Sequence, residues 1–304
     1  MKQKSVIILC GPTAVGKTAL ALALAGRYRT AIVSADSRQC FRELRIGVAR
    51  PSDAECRQVP HYFIASHSIH DTVTAATFER YALDRVEELF AATDVVVMAG
   101  GTGLYIRAFE QGLDAVPETP PALRAKWQEA LDARGFPWLQ EQLKHSDPLF
   151  FEQGERLNPQ RVMRALEVME LTGRSILKFR IGQPVQRPFR ILKLGLDLPR
   201  NELRERIDRR VGNMMEAGWL DEVRELLPFQ QMNALRTVGY RELFDHLSGH
   251  STLEQALERI RIRTRQYAKR QLTWFRADPG IEWYRPDQEP EIVQRTDTFL
   301  QDPN

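Results

Sequence analysis

The chain has 304 residues, of which 43% are hydrophobic and 27% charged, and a formal net charge of +3. This length allows one large domain or two modest ones with their own cores, the composition excludes a wholly disordered chain, and no apolar run approaches the ~20 residues that span a bilayer. The three cysteines are widely spaced and form no CxxC pair, so the sequence supports neither a disulfide framework nor a zinc ribbon and fits a reducing cytoplasm.

Four continuous apolar runs predict strands that are buried on both faces of a parallel sheet. They are SVIILC (5–10), AIVSA (31–35), DVVVMAG (94–100) and RILKLGLD (190–197). The first run leads directly into a glycine-rich turn, so it predicts a strand and not a signal peptide. Helical patterns lie between the runs, notably Lys17–Arg27 and Ala75–Ala91. This alternation predicts an α/β fold.

The alternation of strands and helices breaks at the segment GLDAVPETPPALR (112–124), which is rich in prolines and acids. From Pro121 to about Thr172 the pattern is only helical, before the strand near Arg190 resumes the sheet. We therefore predict a core domain made of residues 1–112 and 188–304, with an all-helical insertion over residues 113–187.

The part of the chain beyond Pro199 is predicted to be helical throughout, as a C-terminal extension of the core domain. The predicted helices are Asn201–Ala217, Trp219–Leu227, Val238–Leu247 and Thr252–Arg276. The last of these carries an apolar stripe at steps of three or four residues, with arginines around it.

A glycine-rich segment after the first strand carries specific chemistry. GPTAVGKT matches the pattern GxxxxGK[ST] in full and lies between a predicted strand and a predicted helix. Its glycines allow successive N–H groups to converge on one concavity, with the positive end of the helix behind them. Lys17 adds a charge for terminal phosphates, and the Thr18 hydroxyl suits Mg²⁺, the expected cofactor. The sequence thus predicts a P-loop, formed by Gly11, Pro12, Thr13, Ala14, Val15, Gly16, Lys17 and Thr18.

The strand VVVMAG ends in glycines, whereas an NTP hydrolase usually has an acid there to manage metal and water. The strand-end acid is instead Asp36, in IVSADSRQ. Because ligands of open α/β folds bind at the carboxyl ends of the strands, Asp36 is a candidate general base. The alternative is that Asp36 is an outer-shell magnesium ligand of a kinase.

An ordered set of segments resembles the tRNA dimethylallyltransferases, also called isopentenyl-tRNA transferases, along nearly the whole chain. These segments are GPTAVGKT, SADSRQCF, VPHYF, AGGTGLY, NPQRVMRALEVMELTG, RIDRRV, EAGWLDEV, RTVGYREL and KRQLTWFR. The resemblance implies transfer of a dimethylallyl group from its diphosphate to N6 of the adenosine just 3′ of the anticodon. The P-loop would then hold a diphosphate leaving group rather than ATP. One departure is Val48, which stands where the family commonly has threonine.

The resemblance implies catalytic roles for three residues. Asp36 looks like the base that takes a proton from the adenine amino group, and Thr102 looks like its neighbour near the leaving-group oxygen. Arg210 is similar to the family arginine that meets the diphosphate. Without the resemblance, Arg210 would be interpreted as one of several solvated helix-face arginines.

The expected partners are the anticodon arm of tRNA and dimethylallyl diphosphate. A stacked adenine must be extruded to reach a buried base, and basic and aromatic side chains suit the recognition of such a loop. The residues that we assign to tRNA binding are Asp36, Ser37, Arg38, Gln39, Thr102, Arg124, Gln160, Arg161, Val162, Met163, Arg164, Arg236, Thr237, Val238, Gly239, Tyr240, Arg241, Lys269, Arg270, Gln271, Trp274 and Arg276.

Basic residues accumulate near the C-terminus. No acid occurs between Arg259 and Arg276, and this favours a polyanionic partner over a merely solvated face. For Trp274 and Phe275, core packing at the end of the amphipathic helix is favoured over stacking on bases.

Three other functions remain open from the sequence. A P-loop kinase acting on a small alcohol leaves the basic C-terminal helix and the helical insertion unexplained. A prenyltransferase acting on free AMP would not need an RNA surface. A non-catalytic RNA-binding protein would have no use for a complete phosphate cradle. We expect no membrane association and a monomer.

Overall fold

The computed structural model describes residues 3–302, so the outermost residues of the predicted core domain, 1–2 and 303–304, lie outside the described residues. The chain forms two compact units. The first contains the described residues of Met1–Glu110 and Gln186–Asn304, and the second contains Gln111–Val185. The sequence-based borders of the insertion are 113 and 187.

The first unit is built on a parallel sheet, which in the described part of the chain has six strands in the order β3-β2-β4-β1-β5-β6. The strands are β1 (Ser5–Cys10), β2 (Ile32–Ala35), β3 (His61–Tyr62), β4 (Val95–Gly100), β5 (Arg190–Leu196) and β6 (Ile281–Tyr284). All residues of β1 are buried, because β1 lies between two strands and has helices on both faces. The predicted fold class, an α/β protein with a P-loop-type parallel sheet flanked by helices, is confirmed.

Most of the helices fall where the sequence pattern predicts them. In chain order the helices are α1 (Lys17–Tyr28), α2 (Asp53–Gln58), α3 (Ala75–Phe90), α4 (Gly103–Gln111), α5 (Pro121–Ser146), α6 (Pro148–Gln153), α7 (Pro159–Thr172), α8 (Arg200–Glu216), α9 (Trp219–Glu225), α10 (Tyr240–Leu247), α11 (Leu253–Arg276) and α12 (Glu289–Gln301). Of these, α2, α4 and α12 match no helix named from the sequence. Helix α11 begins at a capping box, in which the Thr252 and Gln255 side chains each satisfy the other's backbone N–H. No helix within residues 3–302 is both long and apolar enough to cross a membrane.

The prediction that the chain beyond Pro199 is entirely helical is wrong at β6. This strand has four residues and lies at the edge of the sheet, where only Ile281 is fully buried. An edge strand of this kind needs no continuous apolar run, so the pattern that reveals β1 and β4 is missing here. The same reason explains why the two-residue strand β3 was not predicted.

The second unit has its own core. Within residues 111–185 the regular structure is helical, as predicted: α5, α6 and α7 with one 3₁₀ turn at Ile176–Lys178. Helix α5 is interrupted at Gly135, whose φ of 80° lies in the left-handed region. Apolar side chains from the three helices and the turn, such as Trp127, Leu143 and Phe150, form one buried cluster.

Candidate active site

The strand register brings three predicted site segments to one edge of the sheet. Cys10 of β1 and Ala35 of β2 both lie opposite Gly100 of β4, so these three strands end in the same row. The P-loop, Asp36 and the turn that begins at Gly101 therefore follow neighbouring strand ends. This is the carboxyl edge, where ligands of open α/β sheets bind.

The P-loop has the geometry of a phosphate cradle. Gly11 has a φ of 140°, and a Cβ there would lie 2.5 Å from the Leu196 carbonyl oxygen. Gly16 caps α1 in the left-handed conformation without any side-chain hydrogen bond, so the first N–H groups of the helix remain free for a ligand. The Lys17 ammonium donates to the carbonyl oxygens of Gly11 (3.0 Å) and Pro12 (2.7 Å), which folds it over the loop.

A cavity of about 430 Å³ opens in front of this loop. Of the predicted site residues, those that line it are Thr13, Ala14, Gly16, Lys17, Thr18, Asp36, Gln39, Arg210 and Gln271. Gly11, Pro12 and Val15 form the buried part of the loop behind it.

The charges around the cavity suit a polyanion. Among its described lining residues are Lys17, Arg206, Arg209 and Arg210, against the single carboxylate of Asp36. Burial, and then the Arg210 guanidinium, lowers the pKa of Lys17 to about 8. Burial also lowers the pKa of Arg210, while the Asp36 carboxylate opposes that change. Cations that have lost part of their water gain more from a bound phosphate than fully solvated cations do.

Asp36 closes a tight turn beyond β2. Its Oδ1 accepts hydrogen bonds from the backbone N–H groups of Arg38 (2.8 Å) and Gln39 (3.3 Å). Thr102 lies beside this turn, where its Oγ1 accepts a hydrogen bond from the Ser37 N–H at 3.1 Å. Asp36 and Gln39 line the main cavity, whereas Ser37 and Arg38 line a separate cavity of about 310 Å³. The turn thus divides the predicted residues between two openings.

Gln271 joins the P-loop to the glycine turn after β4. Its side chain accepts from the Thr13 N–H (2.9 Å) and donates to the Gly101 carbonyl oxygen (2.8 Å). The residue is only 7% exposed. We assigned Gln271 to tRNA binding from the sequence, and the structure places it inside the site, where it holds two loops together.

The basic face of α11 is less free than its sequence suggests. The ion-pair partners come from other segments: Arg263 pairs with Glu242, Arg265 with Asp208 and Arg276 with Asp197. These three arginines are therefore ion-paired within the protein, and the assignment of Arg276 to tRNA stays a prediction.

Some residues that we assigned to tRNA from α11, from α10 and from the segment before α10 lie at the surface. Lys269, Arg270, Arg236 and Arg241 are exposed. Trp274 is 40% exposed although it packs against Gly103, whereas Phe275 is buried. Thr237 and Val238 are half-buried.

Four residues assigned to tRNA binding are buried, so the structure exposes none of them to a partner. Tyr240 and Gly239 lie inside the first unit, and the Tyr240 hydroxyl donates to Glu222 at 2.6 Å. Val162 and Met163 lie in the core of the second unit. A sequence motif covers every face of a helix, and Tyr240, Val162 and Met163 lie on buried helix faces, whereas Gly239 directly precedes α10.

The polar residues assigned to tRNA in the second unit differ in their surroundings. Arg124, Gln160 and Arg161 are exposed, and Arg161 forms an ion pair with Glu155. The Arg164 guanidinium turns onto its own unit, where it donates to the Pro117 carbonyl oxygen at 2.7 Å.

Sequence reasoning missed several residues of the site. Arg206 and Asn213 lie on the same helix face as Arg210 and line the cavity, and Tyr267 lies one turn before Gln271. Helical spacing from the predicted residues was the available signal. Glu222, which lies outside the cavity, had no such signal, because its contacts are made with distant segments.

The parallel sheet and the P-loop define an α/β protein of the P-loop class. In this protein the P-loop and the Asp36 carboxylate line the same cavity. Residues 39–278 match the family model described as IPP transferase. The chain belongs to this family, as its resemblance to the tRNA dimethylallyltransferases predicts.

Individual relatives agree with the family match along nearly the whole chain. The tRNA dimethylallyltransferase of Cytophaga hutchinsonii is 43% identical over 299 residues, which are 98% of each chain. The tRNA dimethylallyltransferase 1 of Bacteroides thetaiotaomicron is 42% identical over 95% of this chain and 94% of its own. The crystal structure of the tRNA isopentenylpyrophosphate transferase of Bacillus halodurans is similar with a TM-score of 0.72 and 31% identity, covering 99% of this chain and 97% of that one.

Proposed function

We propose that this chain transfers a dimethylallyl group from dimethylallyl diphosphate to N6 of the adenosine 3′ to the anticodon in tRNA. As a member of its family, the chain is an enzyme that prenylates tRNA. The observation that carries the detailed proposal is the shared cavity, in which a phosphate cradle and a carboxylate face the same space.

The leaving group is assigned to the P-loop. Ionisation at the allylic carbon moves an electron pair onto the bridging oxygen of the diphosphate, so negative charge grows there in the transition state. Lys17, Arg206 and Arg210 line the cavity. Lys17 and Arg206 are already held by carbonyl oxygens of the P-loop, which lets them stabilise that charge with little reorganisation. The P-loop N–H groups add further donors.

Mg²⁺ fits the same end of the cavity. The Thr18 hydroxyl lies there. A single protein hydroxyl suits Mg²⁺, which usually keeps several waters and takes other ligands from substrate phosphates. Bound Mg²⁺ would neutralise charge on the departing diphosphate.

Asp36 is assigned to the acceptor side of the reaction, as the base for the adenine amine. The adenine N6 forms a bond to C1 of the dimethylallyl group while the bond from C1 to the diphosphate oxygen breaks. The amine becomes acidic only as it bonds to carbon, and its proton passes to the carboxylate. Because Oδ1 is committed to two backbone N–H groups, we assign the proton to Oδ2. Gln39 lines the cavity beside Asp36 and supplies an amide for the edge of the extruded base.

The RNA is assigned to two surfaces, each described within its own unit. On α11 the exposed Lys269 and Arg270 suit phosphates, and in the second unit the exposed Arg124, Gln160 and Arg161 do so. We further propose that the enzyme acts as a monomer in the cytoplasm, where tRNA is modified and where its free cysteines stay reduced.

The test is an incubation with labelled dimethylallyl diphosphate, Mg²⁺ and an anticodon stem-loop. We expect label on the RNA and release of diphosphate. A second assay offers AMP in place of the stem-loop as the acceptor. A third assay offers ATP and a small alcohol, to detect phosphoryl transfer. Transfer to AMP as efficient as to the stem-loop, or phosphoryl transfer without prenylation, would refute the proposal.

A further inference from the structure

Glu222 of α9 does not line the cavity, yet its carboxylate accepts four hydrogen bonds. Oε2 accepts from the N–H groups of Arg45 (3.0 Å) and Ile46 (2.7 Å). Oε1 accepts from the Gly47 N–H (3.1 Å) and from the Tyr240 hydroxyl (2.6 Å). One carboxylate thus clamps three consecutive backbone amides, and hydrogen bonds to a charged acceptor are roughly twice as strong as neutral ones.

Packing fixes the same segment from the other side. A Cβ at Gly47 would lie 2.1 Å from Trp219 Nε1 and 2.7 Å from Tyr240 Cε2. Both aromatic side chains are fully buried, so neither can move aside. Burial and the Glu222 carboxylate raise the pKa of Tyr240, so its hydroxyl stays a donor to Glu222 at physiological pH. The Arg45–Gly47 backbone is therefore held by both charge and shape.

The clamped segment runs directly into the cavity wall. The Gln39 side-chain amide donates to the carbonyl oxygens of Val48 (3.2 Å) and Ala49 (2.9 Å). Gln39 is also fixed by the Ser34 hydroxyl, and its own N–H donates to Asp36 Oδ1. Ala49 lines the cavity with a φ of 46°, a left-handed conformation that its surroundings must enforce. Backbone groups thus connect Glu222 to Asp36.

We propose that Glu222 is a positioning residue for the acceptor half of the reaction. By clamping residues 45–47 it fixes the two carbonyl groups that orient Gln39, and thereby the turn that aims the Asp36 carboxylate at the adenine amine. Because the contacts of Gln39 are with backbone carbonyls, this arrangement does not need the threonine hydroxyl that Val48 lacks. The inference rests on the proposed function.

The test is Glu222→Gln, which keeps the shape of the side chain but replaces one acceptor oxygen by an NH₂ group. We expect the single-turnover rate constant at saturating RNA to fall by about 10- to 100-fold, as for a misplacement of roughly 1 Å at a reacting group. The Kd values of inorganic diphosphate and of the stem-loop are expected to stay within about twofold, because the P-loop and α11 are not part of the clamp.

Two further variants serve as a control and as a second test of the clamp. Glu225→Gln removes an exposed carboxylate from the same helix and is expected to match the wild type. Tyr240→Phe removes one of the four donors and is expected to lower the same rate constant by a few-fold only, so it decides the matter if Glu222→Gln does not fold.

The outcomes are distinguishable from failure of the proposed function. If the wild type transfers no dimethylallyl group, the proposed function itself is wrong. If the wild type is active, an unchanged rate constant in the clamp variants would overturn the positioning role. An equal loss of rate and of diphosphate affinity would also overturn it, because that pattern indicates general damage to the fold.

Discussion

At the scale of single residues, Asp36 has both a structural role and a chemical role. Its Oδ1 shapes the turn, and an amide oxygen in Asp36→Asn can accept the same two N–H groups. We therefore expect this variant to keep its melting temperature and tRNA affinity while turnover falls by about 10²–10⁴-fold. Steady-state kinetics with a thermal melt checks this. Near-normal turnover would instead favour a role as a metal ligand, which a changed Mg²⁺ requirement would reveal.

Lys17 gives the site a pH dependence. Burial and the nearby Arg210 lower the pKa of Lys17 to about 8, and a lysine is charged below its pKa. The charge that attracts diphosphate is thus complete well below that pH and is lost as pH rises through it. We expect diphosphate affinity to fall from about pH 7 to about pH 9, and binding near pH 8 to take up a proton because the bound anion raises the pKa of Lys17.

Titration calorimetry with inorganic diphosphate, in buffers of different ionisation enthalpy, measures both the diphosphate affinity and the number of protons taken up on binding. Lys17→Met is the matched variant, since it keeps the length of the side chain without the charge. It is expected to bind diphosphate more weakly and with a flatter pH profile, and its tRNA affinity is expected to change little. Identical pH profiles for the two proteins would contradict the assignment of Lys17 to the diphosphate.

At the scale of elements, α11 presents different residues on its two sides. Gln271 and Trp274 face the loops of the site, whereas Lys269 and Arg270 are exposed. Each lysine or arginine that meets a phosphate releases counterions. Changing Lys269 and Arg270 together to alanine is therefore expected to weaken tRNA binding and to lower the salt slope by about one unit per residue, without loss of helix stability.

The matched control lies on the same helix. Arg259 and Arg261 are near acids, at 4.0 Å from Asp245 and 3.6 Å from Glu258. Their double alanine variant removes the same charge and is expected to change the salt slope less. Titrations of RNA at several salt concentrations decide this. Equal slopes in all three proteins would remove α11 from the RNA interface.

At the scale of the whole molecule, the second unit is an insertion whose ends meet. The Val185 N–H donates to the Gln111 carbonyl oxygen at 2.8 Å, and the unit has a core of its own. Residues 1–110 joined to 186–304 by a short Gly-Ser linker are therefore expected to fold and to keep diphosphate affinity while tRNA affinity falls. Calorimetry and RNA titration of both proteins test this. Undiminished RNA affinity would contradict the proposed tRNA contact of the insertion.

The sequence by itself determined the features that are local along the chain. The P-loop, the buried strands β1 and β4 and the amphipathic helices depend on short-range backbone geometry and apolar spacing, which neighbouring residues encode. Asp36 was found because it directly follows a strand. The edge strand β6 was not predicted because three of its four residues are only half-buried, which leaves no continuous apolar run.

Only the tertiary structure decided which side chains of distant segments meet. Glu222 clamps residues 45–47, Gln271 joins two loops, and Glu242 neutralises Arg263, in each case across a large separation in sequence. Such pairings depend on the order of the strands and on which face each helix turns to its neighbour. A sequence motif contains neither kind of information. For this reason the motif around Tyr240 led us to assign this residue to RNA binding, although packing buries it.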